Sequence, residues 1–322
     1  MGGMRVVVLD DYQAVAASLA DWASLTGWTV DVEHHRLPGP DAVVARLAEA
    51  DAVVLMRERT AFPQAVLARL PRLRLIVTGG MRNAAVDLDA AAAAGITVCG
   101  VPGSSPATAE LAWALLLALL RSVPAEDAAL REGRWQSTVG TGLAGTVLGL
   151  VGLGNLGRRM VPVARAFGMD VLAWSTNLTD EAATAAGATR VDKDELFRRS
   201  DVVSLHLVLS DRTRGIVGRN DLALLGPSGY LINTSRAGLV DTAALLEALH
   251  TGTLAGAGLD VFDEEPLPAD DPLLAAPRTV LTPHLGYVTR DNLARWYVGA
   301  VEDLRAFAAG EPVNVLASPA RV

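Results

Sequence analysis

The chain has 322 residues, 51% of them hydrophobic, and 28 Lys and Arg against 36 Asp and Glu leave a formal charge of −8. Length and composition allow two domains with a sizeable core and exclude a disordered chain, and the acidic balance excludes sequence-independent nucleic-acid binding, which needs a basic footprint. The single cysteine, Cys99, excludes an internal disulfide and a cysteine-based metal cage; it ends "GITVCG" and reads as a buried thiol, and no metal is expected.

Strand and helix signals alternate from the start. "RVVVLDD" (Arg5–Asp11) is a β-branched run followed by helical spacing over Ala14–Leu25. "WTVDVEH" (Trp28–His34), "ADAVVLM" (Ala50–Met56), "LRLIVTG" (Leu73–Gly79) and "ITVCG" (Ile96–Gly100) repeat the strand theme, with helices predicted over Asp41–Ala50 and Pro63–Leu70. This is the rhythm of a parallel sheet covered by helices. "GVPGSSPATAE" (Gly100–Glu110) reads as a crossing between domains, with Pro106, Thr108 and Glu110 suiting a helix start. The helix that follows contains "LAWALLLALL" (Leu111–Leu120), far short of the roughly 20 residues a bilayer span needs. At the N-terminus "MGGMRVVVLDDYQ" meets an acidic pair where a signal peptide would stay apolar, so a cytoplasmic protein that engages no membrane is expected.

A second series runs "TVLGLVG" (Thr146–Gly152), "DVLAWS" (Asp170–Ser175), "SDVVSLHL" (Ser200–Leu207), "GYLINTS" (Gly229–Ser235), "GAGLDVF" (Gly256–Phe262) and "TVLTPH" (Thr279–His284). One more helix, about Asp291–Ala309, and the short "EPVNVL" follow. A lone helix and strand cannot form a domain, so the C-terminal segment is expected to pack back onto the first one.

"GLGNLG" after the strand at Thr146 places Gly152, Gly154 and Gly157 where a strand turns into a helix. Gly152 permits the tight turn, Gly154 lets a pyrophosphate approach the backbone, and Gly157 allows close helix packing. The helix N-terminus offers amides and partial positive charge to phosphates, with Asn155 and Leu156 as donors. A free ribose 2′-hydroxyl asks for an acid at the tip of the next strand. That tip reads Ser175-Thr176-Asn177 instead, with Arg158 just past the loop, so NAD and NADP both stay open.

Ligands of an open parallel sheet bind outside the carboxyl ends of its strands. Arg236, Glu265 and His284 each follow such an end. A guanidinium can hold a carboxylate and polarise the adjacent carbonyl, an imidazolium can give a proton to a forming alkoxide, and a neighbouring carboxylate favours the charged imidazole. Position alone leaves a catalytic set and a structural ion-pair cluster as alternatives. His34 and His35 read as surface residues and His250 as a helix C-terminal cap. His206 ends a strand beside the glycine loop and is the rival for an active-site role.

"INTSRAGLVD", "GLDVFDEEPLP" and "TPHLGY", in that order behind the glycine loop, resemble the D-isomer-specific 2-hydroxyacid dehydrogenases over nearly the whole chain. The resemblance implies that Arg236, Glu265 and His284 are catalytic, and their separations of 29 and 19 residues fit the family pattern. It also implies an α/β fold of two doubly wound parallel-sheet domains. A Rossmann cofactor domain (103–289) is inserted in a flavodoxin-like substrate domain (1–102 and 290–322). "TGGMRNAAVDLDAAAAAGITV" is similar to the family's substrate loop, implying that backbone amides of about Gly80, Met81 and Arg82 hold the substrate carboxylate. Asn83 would join the pocket, with Arg57 and Arg59 at its border. Thr108 would lie near a nicotinamide and Asp260 would hold its carboxamide, while Ser175, Thr176, His206 and Thr234 complete the expected cofactor contacts.

The implied function is reversible hydride transfer between NAD(P)H and a small 2-oxo acid such as glyoxylate, hydroxypyruvate or phosphohydroxypyruvate, in a homodimer built on the helix after Pro106. Two departures, Ser175 in place of an acid and "GGMRNA" in the substrate loop, keep cofactor preference and substrate identity open. The alternative is a corepressor of the C-terminal binding protein type, which uses the cofactor to set its assembly state. That role asks for partner grooves or tails, and the chain is expected to end almost where its fold does. A nucleotide-binding methyltransferase would share the glycine loop but not the ordered Arg, Glu and His.

Overall fold

β-branched and leucine-rich runs become strands here because helices cover both faces of each sheet. A computed structural model describes residues 3–103 and 106–319. Residues 1–2, 104–105 and 320–322, which fall in the expected domain ranges and the Gly100–Glu110 crossing, lie outside the described residues.

The first series is β1 (Met4–Val8), α1 (Ala16–Leu19), β2 (Trp28–Val32), α2 (Gly39–Leu47), β3 (Ala52–Leu55), α3 (Gln64–Leu67), β4 (Leu75–Gly79), α4 (Leu88–Ala93) and β5 (Thr97–Val101). The helix expected over Ala14–Leu25 is two short pieces, α1 and a 3-10 turn at Trp22–Ser24. The buried Asp11 carboxylate accepts the Val15 and Ala16 amides and so starts the chain turning late. The Trp22 indole then donates to the Ala16 carbonyl at 2.8 Å, which satisfies the apolar spacing without a continuous helix.

Next come α5 (Ala107–Leu120), α6 (Val123–Arg131), β6 (Val147–Val151), α7 (Asn155–Ala166), β7 (Asp170–Trp174), α8 (Asp180–Ala185), β8 (Thr189–Arg190), α9 (Lys193–Arg199) and β9 (Val202–Leu205). They are followed by α10 (Arg219–Leu225), β10 (Tyr230–Asn233), α11 (Thr242–Thr251), β11 (Gly256–Leu259), β12 (Thr279–Leu281), α12 (Arg290–Ala308) and β13 (Val315–Ala317).

The chain divides into two compact units, Met1–Ser105 with Thr289–Val322, and Pro106–Val288. The crossings thus fall at 105/106 and 288/289, where the sequence reading put them at 102/103 and 289/290.

The first unit's sheet runs β13-β5-β4-β3-β1-β2, the 2-1-3-4-5 order of flavodoxin-like sheets with one strand added. That added strand corrects the expectation of a wholly parallel sheet, because β13 pairs antiparallel with β5. Gly310 and Asn314, both at positive φ, turn the chain back soon after α12. An antiparallel strand is tolerated at the edge of an otherwise parallel sheet.

The second unit's sheet runs β12-β11-β10-β9-β6-β7-β8 and its pairs are parallel. Its order reverses between β6 and β9, the point where ligands bind doubly wound sheets. One face is covered by α9, α10 and α11, and the other by α5 and α7. α5 is the "LAWALLLALL" helix, and it sinks Leu115 and Leu116 into this core. Among the described residues no single helix is long and apolar enough to cross a membrane.

α12 carries a buried acid into the first unit. Asp303 is 0% exposed; its Oδ1 accepts Asn314 Nδ2 at 2.8 Å, and Oδ2 has no partner among the described residues. Burial pushes its pKa up to about 6, against the Asn314 hydrogen bond and with help from Glu302. Burial, with the Asp303 charge, also pushes the Cys99 thiol up to about 12. Since a carboxyl ordinarily titrates near 3.9, the folded chain holds this proton more tightly than the unfolded one. The resulting stability is full below about pH 4 and is lost as pH rises through about 6. Asp303→Asn is therefore expected to stabilise the protein at pH 8 by on the order of 2 kcal/mol and to change little at pH 4, as read by thermal unfolding at both values.

Candidate active site

The glycine loop follows β6 at the centre of the second unit's sheet. Gly152 has φ +102°, and a side chain there would meet the His206 backbone at 2.8 Å. A Cβ at Gly157 would overlap the Gly152 carbonyl oxygen, so this glycine lets α7 start hard against the strand. At Gly154 a Cβ would find no atom within 4 Å, which leaves a cradle open to a ligand. Gly154 caps α7 without a side-chain hydrogen bond, and the amides of Asn155 and Leu156 have no acceptor among the described residues. Open space, unpaired amides and a helix N-terminus fit the pyrophosphate of a dinucleotide.

Arg236 follows β10 on a turn tied down by its neighbours. The buried Asn233 accepts the Ser235 amide at 3.0 Å and donates to the Arg236 carbonyl at 2.9 Å, while Ser235 Oγ donates to the Leu205 carbonyl at 2.8 Å. Glu265 lies beyond β11, where Oε1 accepts the Phe262 amide at 3.0 Å and Oε2 faces His284 Nδ1 at 2.6 Å. Burial works against the charge on Glu265. The hydrogen bond and charge of His284, the Phe262 amide and the Arg236 charge outweigh it and hold the carboxyl below its ordinary pKa. The three residues that follow separate strand ends therefore act as one electrostatic group.

His284 itself sits at φ +53°, a left-handed conformation rare outside glycine. The turn that carries it is clamped by the fully buried Asp260. Asp260 Oδ1 accepts Thr282 Oγ1 at 2.6 Å and the Leu285 amide at 2.7 Å, and Oδ2 accepts the Gly286 amide at 2.8 Å. Thr108, on the first turn of α5, adds a hydrogen bond to the Gly286 carbonyl at 2.8 Å. The Tyr287 ring stands edge-on to the imidazole at 5.5 Å.

The model for the "D-isomer specific 2-hydroxyacid dehydrogenase, NAD binding domain" matches residues 113–286. The chain is 36% identical over 296 residues to a glyoxylate reductase of Aeropyrum pernix, covering 88% of each protein. The chain belongs to the D-isomer-specific 2-hydroxyacid dehydrogenase family. It is also 39% identical over 277 residues to a D-3-phosphoglycerate dehydrogenase of Mycobacterium tuberculosis, covering 85% of this chain and 52% of that protein, about half its length. A phosphoglycerate oxidoreductase of Vibrio cholerae shares the fold with a TM-score of 0.91 and 37% identity, over 95% of this chain and 99% of that one. The chain is thus a 2-hydroxyacid oxidoreductase that uses NAD(P).

Within this dehydrogenase the structure gives several of the expected site residues partners of their own. Asp260, expected at a nicotinamide carboxamide, is 0% exposed, and what its carboxylate holds in the structure is the His284 turn. Burial raises its pKa, against those hydrogen bonds and the nearby His284 charge. His206 turns its ring inward, with Nε2 at 3.0 Å from Ser204 Oγ and Nδ1 buried without a partner among the described residues. Burial pushes its pKa down to about 4, so it is neutral near pH 7 and no rival to His284 as an acid. Thr234 is buried with its hydroxyl unpartnered among the described residues. Ser175 is half-buried and Thr176 exposed at the tip of β7.

In the first unit the loop after β4 also departs from expectation. The Gly80 amide, expected to hold a substrate carboxylate, donates to the Val101 carbonyl at 2.8 Å. Met81 and Arg82 are exposed, and their amides have no acceptor among the described residues. Asn83, expected in the pocket, is buried and staples the loop to its own unit through the Arg57 carbonyl at 2.8 Å and Thr78 Oγ1 at 2.9 Å. Arg57 lies over the Trp296 ring at 5.7 Å and donates to the Gly79 carbonyl at 3.3 Å, and a side chain at Gly80 would collide with its guanidinium. Arg59 stacks on Tyr12 at 4.5 Å and donates to the Asp10 carbonyl at 2.7 Å.

Sequence reasoning missed Asn233 and Thr282. An asparagine two residues before a turn serine was a readable signal for the first, whereas Thr282 shows its role only through Asp260. Gly154→Ala is expected to leave the melting temperature unchanged while weakening dinucleotide binding about tenfold or more, because its Cβ enters only the ligand's space. Gly157→Ala is expected to lower both. Thermal unfolding and a fluorescence titration with NADH and NADPH check the pair.

Proposed function

We propose that the protein reduces a small 2-oxo acid to the D-2-hydroxy acid and catalyses the reverse oxidation. The observation that carries this reading is the His284–Glu265 pair, held at 2.6 Å beside the charge of Arg236. Arg236 pairs with the substrate carboxylate and polarises the adjacent 2-oxo group, as its planar fork of donors allows. Glu265 occupies Nδ1 of His284, which leaves Nε2 to deliver the proton to the forming alkoxide or take it from the hydroxy acid. The dinucleotide, when bound, supplies or accepts the hydride. Asp260 and Asn233 act as positioning residues for His284 and Arg236. The amides of Met81 and Arg82 serve as carboxylate donors on the resemblance already described.

The substrates this reading favours are glyoxylate, hydroxypyruvate and phosphohydroxypyruvate. The name of the Aeropyrum pernix relative, glyoxylate reductase, supports the first.

A homodimer is part of the same proposal. Around α6 lies an open groove of about 750 Å³ lined by Leu117, Leu130 and Trp135. Trp135 is 76% exposed and Val139 99%, apolar surface that a monomer rarely leaves bare. The groove also carries Arg121 and Arg134 with Glu126 and Asp127, a mixed-sign lining that can complement itself across a two-fold axis.

His284→Ala is expected to lower kcat about a hundredfold or more across a panel of 2-oxo acids, and Glu265→Gln less, with dinucleotide affinity retained in both. Dinucleotide binding by the unaltered protein with no turnover of any 2-oxo acid would instead favour the corepressor-like reading. On sizing with light scattering the protein is expected to run as a dimer and Trp135→Glu as a monomer.

A further inference from the structure

The tip of β7 carries no acid, and its surroundings bear on which dinucleotide fits. The Gly152 amide donates to the Trp174 carbonyl at 2.8 Å, so the glycine loop and the end of β7 lie side by side. Leu153 follows Gly152, and its carbonyl accepts Arg158 Nε at 3.2 Å. That bond turns the guanidinium from the first turn of α7 back toward the loop. Among the described residues the two terminal nitrogens of Arg158 have no hydrogen-bond or ion-pair partner. The acids near in sequence are engaged elsewhere: Asp170 pairs with Arg165 at 3.0 Å and Asp180 with Arg190 at 3.4 Å. Glu181 is held ionised by its own backbone amide and Thr179 at the start of α8.

A free ribose 2′-hydroxyl is recognised by a carboxylate, which would repel a 2′-phosphate. Here the balance is reversed. A guanidinium, whose planar donors match phosphate oxygens, is held against the loop that lies beside the end of β7, and the tip of that strand carries the hydroxyls of Ser175 and Thr176 and no acid.

We propose that the second unit prefers the 2′-phosphorylated dinucleotide NADP(H), with Arg158, Ser175 and Thr176 as the specificity-determining residues that bind the 2′-phosphate. This rests on the dinucleotide use established above and adds the identity of the cofactor.

The full-length chain is titrated with NADPH and with NADH, followed by intrinsic tryptophan fluorescence and by calorimetry. NADPH is expected to bind about ten- to a hundredfold more tightly, as for one or two charge-assisted hydrogen bonds. Arg158→Ala is expected to shrink that ratio about tenfold, and Ser175→Asp to reverse it by placing a carboxylate against the phosphate. NADH binding as tightly as NADPH, or a ratio unmoved by Arg158→Ala, overturns the proposal. Binding of neither dinucleotide overturns the cofactor reading itself, and the proposal falls with it.

Discussion

The site depends on one buried carboxylate. Asp260 directly follows β11 with no exposure to solvent, and its two oxygens take the Thr282 hydroxyl and the Leu285 and Gly286 amides. Three hydrogen bonds to a charge in an enclosed place are worth far more than the same bonds in water, because the alternative is an unsatisfied buried ion. They hold His284 in a left-handed conformation that a histidine would not otherwise keep, with its ring nitrogen at 2.6 Å from Glu265. Strained backbone at a site persists only when its surroundings over-determine it. Here the strand ends, the α5 helix through Thr108 and the Asp260 clamp do so together.

The parallel sheet explains why these groups share an edge. When all strands run the same way, all their carboxyl ends emerge on one side, and the residues just past them gather there. In the second unit those residues are Gly152 after β6, Ser175 after β7, Arg236 after β10, Glu265 after β11 and His284 after β12. Charge is sorted along that edge. His206 is kept neutral by burial, Glu265 is kept ionised by His284 and Arg236, and Arg158 stands by the loop that meets phosphate. An acidic chain of net charge −8 thus presents cations where an anionic cofactor and an anionic substrate would be met.

Much of this was legible in the residue order. The alternation of β-branched runs with helical spacing marked the strands and helices that build the two sheets' centres, but only to within a few residues, since polar tips such as Asp10-Asp11 look strand-like but serve turns. The glycine spacing and the placing of Arg236, Glu265 and His284 just past strand ends were readable because strand ends follow from short runs of residues, whereas position alone left a catalytic set and an ion-pair cluster open. The partners of Asn83 and Gly80 were not legible, for the opposite reason. Both lie in a loop that looks free in sequence, yet Asn83 is turned inward to Thr78 and Arg57 and the Gly80 amide to Val101.

By itself the sequence determined the α/β class, the glycine turn and which residue types carry the chemistry, because strand period, glycine φ and side-chain functional groups are properties of short stretches. Only the tertiary structure decided that Asp260 holds the His284 turn, that His206 is a buried neutral ring, that β13 runs antiparallel, and that Arg158 is bent back to Leu153. Each of these depends on groups far apart in the chain or on which way a side chain turns. Hydrogen bonds and desolvation act through space, and no spacing along the chain encodes the distance between Asp260 and Gly286.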